Sequence, residues 1–110
     1  MKKYLHFNAA EKITRDGVEN YPLLTEHHGC VNGCCTGISV YNALDYPMAN
    51  IHGDQEGFFV FEGEGWAKVG EEEFPIVPEV SFIVPAGFSH TIKRNPDSLA
   101  VKVFWFHAAI

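Results

Sequence analysis

Apolar runs too short for ordinary helices, broken at close intervals by glycine and proline, constrain this chain more than any other feature. The runs are "KYLHFN", "TGISVYNAL", "EGFFVFE", "GWAKV", "EFPIV", "VSFIV", "SHTIKR" and "LAVKVFWFH", rich in Phe, Val, Ile and Trp. Turn-forming residues separate several of them: Gly63 and Gly65, Gly70-Glu71, Pro78-Glu79, Pro85-Ala86-Gly87 and Asn95-Pro96-Asp97. Branched and aromatic side chains fit a pleated, half-buried surface, and many short runs at this spacing predict an all-β sandwich or barrel. The one helical segment the pattern allows is a turn or two over residues 9–14, "AAEKIT", ended by Gly17. The chain has 110 residues, enough to bury one core, so a single domain over 1–110 is expected.

Strand periodicity refines this. Successive side chains point to opposite faces, so Glu56, Phe58, Val60 and Glu62 share one face of "EGFFVFE" and Phe59 and Phe61 the other. In "LAVKVFWFH", Leu99, Val101, Val103, Trp105 and His107 lie opposite Lys102, Phe104 and Phe106. Both faces are apolar, whereas a strand buried on one side alternates more cleanly. A solvent-facing Phe/Trp patch marks either a covering layer or a subunit interface, and a homodimer is the expectation.

Charge and leader signals narrow the function classes. Acidic residues outnumber basic ones 14 to 8, for a net charge of −6. A field of that sign repels phosphate backbones, and no basic stripe offsets it, so nucleic acid is not an expected partner. Met1-Lys2-Lys3 is followed by no apolar run, and nothing approaches the ~20 apolar residues of a membrane span. A cytoplasmic protein with reduced thiols is expected, since three cysteines with no export signal do not suggest a disulfide framework.

Chemistry concentrates in two blocks, "ANIHGDQEGFFVFEGEGWAKVG" and "PEVSFIVPAGFSHTIKRN". His52 and Glu56 stand four apart in the first, and His90 follows Pro85-x-Gly87 in the second. Two imidazoles and a carboxylate suit divalent first-row metals. Each residue alone has a plain reading as a packed or surface side chain. Together the blocks resemble the two motifs of the cupin superfamily, roughly G-x5-H-x-H-x3,4-E-x6-G and G-x5-P-x-G-x2-H-x3-N. On this chain the first motif's second His falls on His52, its Glu on Glu56 and its closing Gly on Gly63. Pro85, Gly87 and His90 match the second motif, and the likeness covers about residues 45–95.

The resemblance implies a jelly-roll barrel with a metal or small-molecule site inside it. It implies His52, Glu56 and His90 as ligands to iron, nickel, manganese or zinc, and a small organic ligand or substrate. A barrel interior lined by Phe58, Val60, Phe82, Val84 and Ile92 would bind it. The departures matter as well. The motif's first His falls on Asn50, its opening glycines on Leu44 and Glu79, and its final Asn comes one residue late at Asn95. The glycine changes are expected to alter turns without threatening the fold. An amide oxygen is a weak ligand for first-row transition metals, so Asn50 is a weak or vacant fourth position. Two readings follow: a metal-dependent dioxygenase, isomerase or lyase, or a non-catalytic binding module with an impaired metal site. Asp54 and Gln55 are alternative ligands, although strand register favours Glu56.

Other candidates carry less. "EHHGCVNGCCTG", residues 26–37, holds His27, His28, Cys30, Cys34 and Cys35, a zinc-like donor set. Its C-x3-C-C spacing places Cys34 and Cys35 on opposite strand faces, so one is expected to line the barrel as a small hydrophobe. His6 and His107 are expected to be packed or at the surface. Ser39, Ser81 and Ser89 have no His/Asp partner at a telling spacing.

Overall fold

The computed structural model describes all 110 residues. Its ten strands are β1 (Ile13–Arg15), β2 (Val18–Pro22), β3 (Cys35–Tyr41), β4 (Asn50–Ile51), β5 (Glu56–Glu62), β6 (Gly65–Val69), β7 (Glu72–Ile76), β8 (Ser81–Val84), β9 (Ser89–Arg94) and β10 (Val101–His107). They form two antiparallel sheets, of six strands in the order β1-β2-β3-β10-β5-β8 and of four in the order β4-β9-β6-β7. This is the all-β jelly roll expected. No helix is long and apolar enough to cross a membrane.

Two local expectations fail at the N-terminus. "KYLHFN" is not a strand and no helix runs over residues 9–14: a 3₁₀ turn covers Phe7–Ala9 and β1 begins at Ile13. The His6 ring nitrogen accepts from the Asn8 N–H at 3.0 Å, which stops the turn from being drawn out into a strand. Asp16-Gly17 then closes a hairpin, with Ile13, Thr14 and Arg15 opposite Asn20, Glu19 and Val18. An Asp-Gly pair suits a two-residue hairpin turn, and pairing to β2 gives residues 13–15 partners that an isolated helical turn lacks.

The inward faces of the sheets meet in one core. Val60, Ala67, Ile76, Val101 and Val103 are fully buried, and Val18, Tyr41, Phe58, Val84, Ile92 and Trp105 join them. Each large side chain taken out of water there contributes about 1.5–3 kcal/mol. Phe82 is only partly buried and stacks on Phe58 with ring centroids 4.7 Å apart. The alternation read along β5 and β10 holds: Phe58, Val60, Val101, Val103 and Trp105 point in, and Phe59, Phe61, Phe104 and Phe106 are exposed. Leu99 departs from it, lying before β10 and almost fully exposed.

Two turns show what the motif glycines do. At Gly63 a Cβ would lie 1.8 Å from the Ala100 carbonyl oxygen, so only glycine fits between β5 and the approach to β10. Glu79 adopts φ +79°, the left-handed conformation a glycine takes freely. The turn is thus kept at a backbone cost of about 1–2 kcal/mol. Two backbone hydrogen bonds to Val60, from Glu79 N–H at 2.7 Å and to Val80 O at 2.9 Å, hold it against β5.

Candidate metal and ligand site

Three elements bring the site together. β5 opens with Glu56 facing inward, β9 carries His90 into the interior, and His52 lies just after β4. The two motif blocks are tied by backbone as well: Gly87 N–H donates to the His52 carbonyl at 2.7 Å. That bond fixes the approach of His52 to a loop leading into His90. The ligand atoms of His52, Glu56 and His90 all lie within 4.8 Å of one another. His90 and Glu56 are deep, with side chains 4% and 6% exposed, while His52 at 36% stands at the mouth.

The contacts within the cluster are close but incomplete. His90 Nε2 lies 3.2 Å and His52 Nε2 3.5 Å from Glu56 Oε1. Even so, Glu56 Oε1 and His90 Nδ1 are buried with no hydrogen-bond partner. Orphaned buried polar atoms cost about 1–3 kcal/mol each, so they call for an explanation. A cation between the imidazoles and the carboxylate would satisfy Oε1, and the donor set suits a divalent first-row metal. The residues fit such an ion.

Electrostatics point the same way. Burial, then the charge of Asp54, pushes the Glu56 carboxyl up to about 8. Burial, then the charges of His52, His107 and Arg15, lowers His90 to about 4. Burial, then His107, also lowers His52. The His52 and His90 imidazoles are therefore held toward the neutral form, in which they bind metal.

The cluster opens onto a cavity of about 140 Å³, whose wall includes Arg15, Asn20, Ser39, Tyr41, Asn50, Trp105 and His107. Phe58, Val60, Phe82, Val84 and Ile92, expected as the ligand-contacting lining, are not on that wall; four are buried in the core and Phe82 packs against it. The reason is depth: side chains along the same inward faces fill the barrel completely before the polar end begins. Trp105 forms part of the boundary. Its indole N–H donates to Ser39 Oγ at 2.9 Å, and Ser39 donates in turn to Asn20 Oδ1 at 2.9 Å.

His107 is the principal residue that spacing missed. It is neither simply packed nor at the surface: it lines the cavity, its Nδ1 is 2.9 Å from Asp54 Oδ2, and its Nε2 is 3.4 Å from Glu56 Oε2. The signal was present in its parity, since His107 shares a strand face with Val101, Val103 and Trp105. Asn50 lies opposite His90 in the β4–β9 pairing and lines the cavity. Asp54 is engaged with His107, and Gln55 is exposed. In the cysteine-rich stretch, His28 Nδ1 accepts from the Thr25 N–H at 3.2 Å as part of a cap. Cys35 enters β3 opposite His107 and packs against the core, and all three cysteines are free thiols.

A family model described as the cupin domain matches residues 43–107. No curated protein matches the chain in sequence. Among solved structures, the iron(II) form of HppE superimposes with a TM-score of 0.80 at 15% identity, over 96% of this chain and 59% of that one. The polyketide cyclase RemF from Streptomyces resistomycificus gives 0.80 at 14% identity, over 97% and 79%. A predicted oxalate decarboxylase from Thermotoga maritima gives 0.77 at 17% identity, over 96% and 97%. At such identities the likeness is one of fold, and the chain spans only 57–59% of the HppE chains.

Proposed function

The chain belongs to the cupin family, and from that premise we propose that it is a metal-dependent enzyme acting on a small anionic organic molecule. His52, Glu56 and His90 hold the metal in this reading. The observation that carries it is the buried, partnerless Glu56 Oε1 facing two imidazole nitrogens at 3.2 and 3.5 Å. A bound iron, nickel, manganese or zinc ion would supply Lewis acidity or a redox centre for dioxygenase, isomerase or lyase chemistry.

The remaining roles fall to the chain's own groups. Glu56 gives up the proton it otherwise holds to about pH 8 when a cation takes its place. Arg15 reaches the cavity wall from β1 and makes no salt bridge with the protein, so its guanidinium is free for a carboxylate or similar anion. Tyr41 is buried at the cavity wall, and burial raises its phenol so that it stays a hydrogen-bond donor. A cavity near 140 Å³ matches the ~150 Å³ that accepts benzene, which limits the buried part of a ligand to about that size.

Asn50 at the fourth corner favours a second reading, a binding module that holds the molecule without turnover. Turnover that is lost on chelation and restored by one metal supports the enzyme; ligand binding without turnover in the metal-loaded protein supports the module. Equal metal content in wild type and in a His52→Ala, His90→Ala double variant would end the proposed site.

The 110 residues act in this reading as one barrel in a reducing, cytoplasmic setting and associate as a homodimer. The support for the dimer is the outer face of the six-stranded sheet, where Phe59, Phe61, Phe104 and Phe106 are each at least 36% exposed. Light scattering on the eluting protein checks it, and a monomer at tens of micromolar would argue against it.

A further inference from the structure

The last strand carries an imidazole to the position that the first motif leaves weak. We propose that His107 is the fourth protein ligand of the metal, in place of the histidine for which this chain has Asn50. The assignment rests on the metal reading above and concerns who completes the coordination.

Strand register brings His107 there. In the β10–β5 pairing it lies directly opposite Glu56, and both side chains face the barrel interior. Its ring stands edge-on to His52, with centroids 4.8 Å apart. The two oxygens of one buried carboxylate are therefore surrounded by three imidazoles: His90 and His52 at Oε1, and His107 at Oε2 at 3.4 Å. His107 reaches the cluster through Oε2, so Glu56 spans the pair on one side and His107 on the other.

The second observation is what holds the ring. His107 Nδ1 meets Asp54 Oδ2 at 2.9 Å. A carboxylate only accepts, so Nδ1 carries the hydrogen, and in the neutral ring the lone pair is on Nε2, which faces Glu56 and the cavity. A carboxylate on the far nitrogen is the usual way a metal-binding imidazole is oriented and made more basic. Neither His52 nor His90 has such a partner: His90 Nδ1 is buried without one. His107 is thus the best prepared of the three imidazoles to donate.

The chemistry of the set agrees. Three imidazoles and one carboxylate suit a first-row divalent ion, whereas an asparagine amide is a poor donor to the same ions. Asn50 is then free to hydrogen-bond a bound water or ligand at the cavity wall.

The test uses Zn²⁺ and the full chain. In a structure of the Zn²⁺-loaded protein, the anomalous peak should lie about 2.0–2.1 Å from His107 Nε2 as well as from His52 and His90. X-ray absorption of the same sample should count three imidazoles in wild type and in Asn50→Ala, and two in His107→Ala. Calorimetric Zn²⁺ affinity should fall at least about 10–100-fold in His107→Ala. In Asp54→Asn the affinity should weaken while the count stays at three, as expected of a positioning residue. A peak bonded to His52, Glu56 and His90 with His107 beyond bonding distance would overturn this assignment and leave the metal reading standing. No Zn²⁺ binding to wild type would overturn both. The wild-type measurements decide the matter even if a variant fails to fold.

Discussion

The two faces of β10 teach opposite lessons from the same kind of sequence. Inward, Val101 and Val103 are 0% exposed, Trp105 is 8% exposed, and His107 ends the row at the polar cavity. Outward, Phe104 and Phe106 are 36% and 43% exposed beside Lys102, which pairs with Glu62 at 3.1 Å. Both faces are apolar, yet only the inner one has its contacts fixed by a facing sheet. Hydrophobicity therefore marks both faces, and register alone says which one builds a core and a site.

The sharpest way to break this contrast is to truncate one aromatic from each side. Phe58→Ala should cost about 3–5 kcal/mol by chemical denaturation, the usual loss for a fully enclosed ring. Phe104→Ala should cost under about 1 kcal/mol, as for a surface position. Equal costs would mean that the outer face is buried in solution, which makes the pair a second probe of association. Next in size is the inner face's chemistry. Glu56→Gln should weaken Zn²⁺ binding by about 100-fold, roughly 2.8 kcal/mol at 1.4 kcal/mol per tenfold, while Phe104→Ala leaves it unchanged in the same calorimetric titration. A Glu56→Gln protein that binds Zn²⁺ as well as wild type would remove the carboxylate from the site.

Much of this was legible in the chain itself, and the failures have identifiable causes. β3 and β5 to β10 stand out because their alternation or apolar runs are strong and their turns are marked. β1 and β2 were obscured because Val18–Pro22 carries Glu19, Asn20 and Pro22, and because Ala9 and Ala10 suggested a helix; the Asp16-Gly17 hairpin signal was the better guide. β4 has only two residues, too few for any period. His52, Glu56 and His90 were readable because their spacing is local to two blocks. His107 joins the cavity through the pairing of β10 with β5, and Arg15 joins it because the β1–β2 hairpin docks on β3, with Val18 opposite Tyr41. No local spacing encodes such a meeting. Parity placed His107 on the inner face, but only the register sets it opposite Glu56.

Two glycines allow the same contrast to be probed more finely. A Cβ at Gly37 would lie 2.2 Å from the Trp105 ring on the inner face, and one at Gly57 would lie 2.3 Å from the Phe106 ring on the outer face. The clashes are nearly equal and the consequences should differ. Trp105 is enclosed and tied to Ser39, so Gly37→Ala should cost about 1–3 kcal/mol, the range for overpacking a core, and disturb the cavity wall. Phe106 has solvent beside it and can swing away, so Gly57→Ala should cost roughly 0.5 kcal/mol or less. Denaturation midpoints of the two variants check the order. Comparable losses would show that the outer ring is as constrained as the inner one.

The faces also separate by pH. In the metal-free folded chain Glu56 keeps its proton to about pH 8, whereas the unfolded carboxyl releases it near 4.5. Folding takes up a proton between those values, so stability is full below 4.5 and is lost as pH rises toward 8. His90 acts in the opposite sense: its folded value near 4 lies below the ordinary 6.5, so its contribution is full above 6.5 and is lost as pH falls toward 4. The lowered His52 acts in the same direction as His90. The two linkages oppose each other below 6.5, and Glu56 acts alone between 6.5 and 8. Metal-free protein should therefore lose about 1–2 kcal/mol across that window, seen as a fall in Tm of several degrees. Glu56→Gln should flatten the slope, and saturating Zn²⁺ should abolish or reverse it, because the ion binds the deprotonated carboxylate. Phe104→Ala, on the outer face, should keep the wild-type slope. A fall that persists unchanged in Glu56→Gln would assign the linkage to another group.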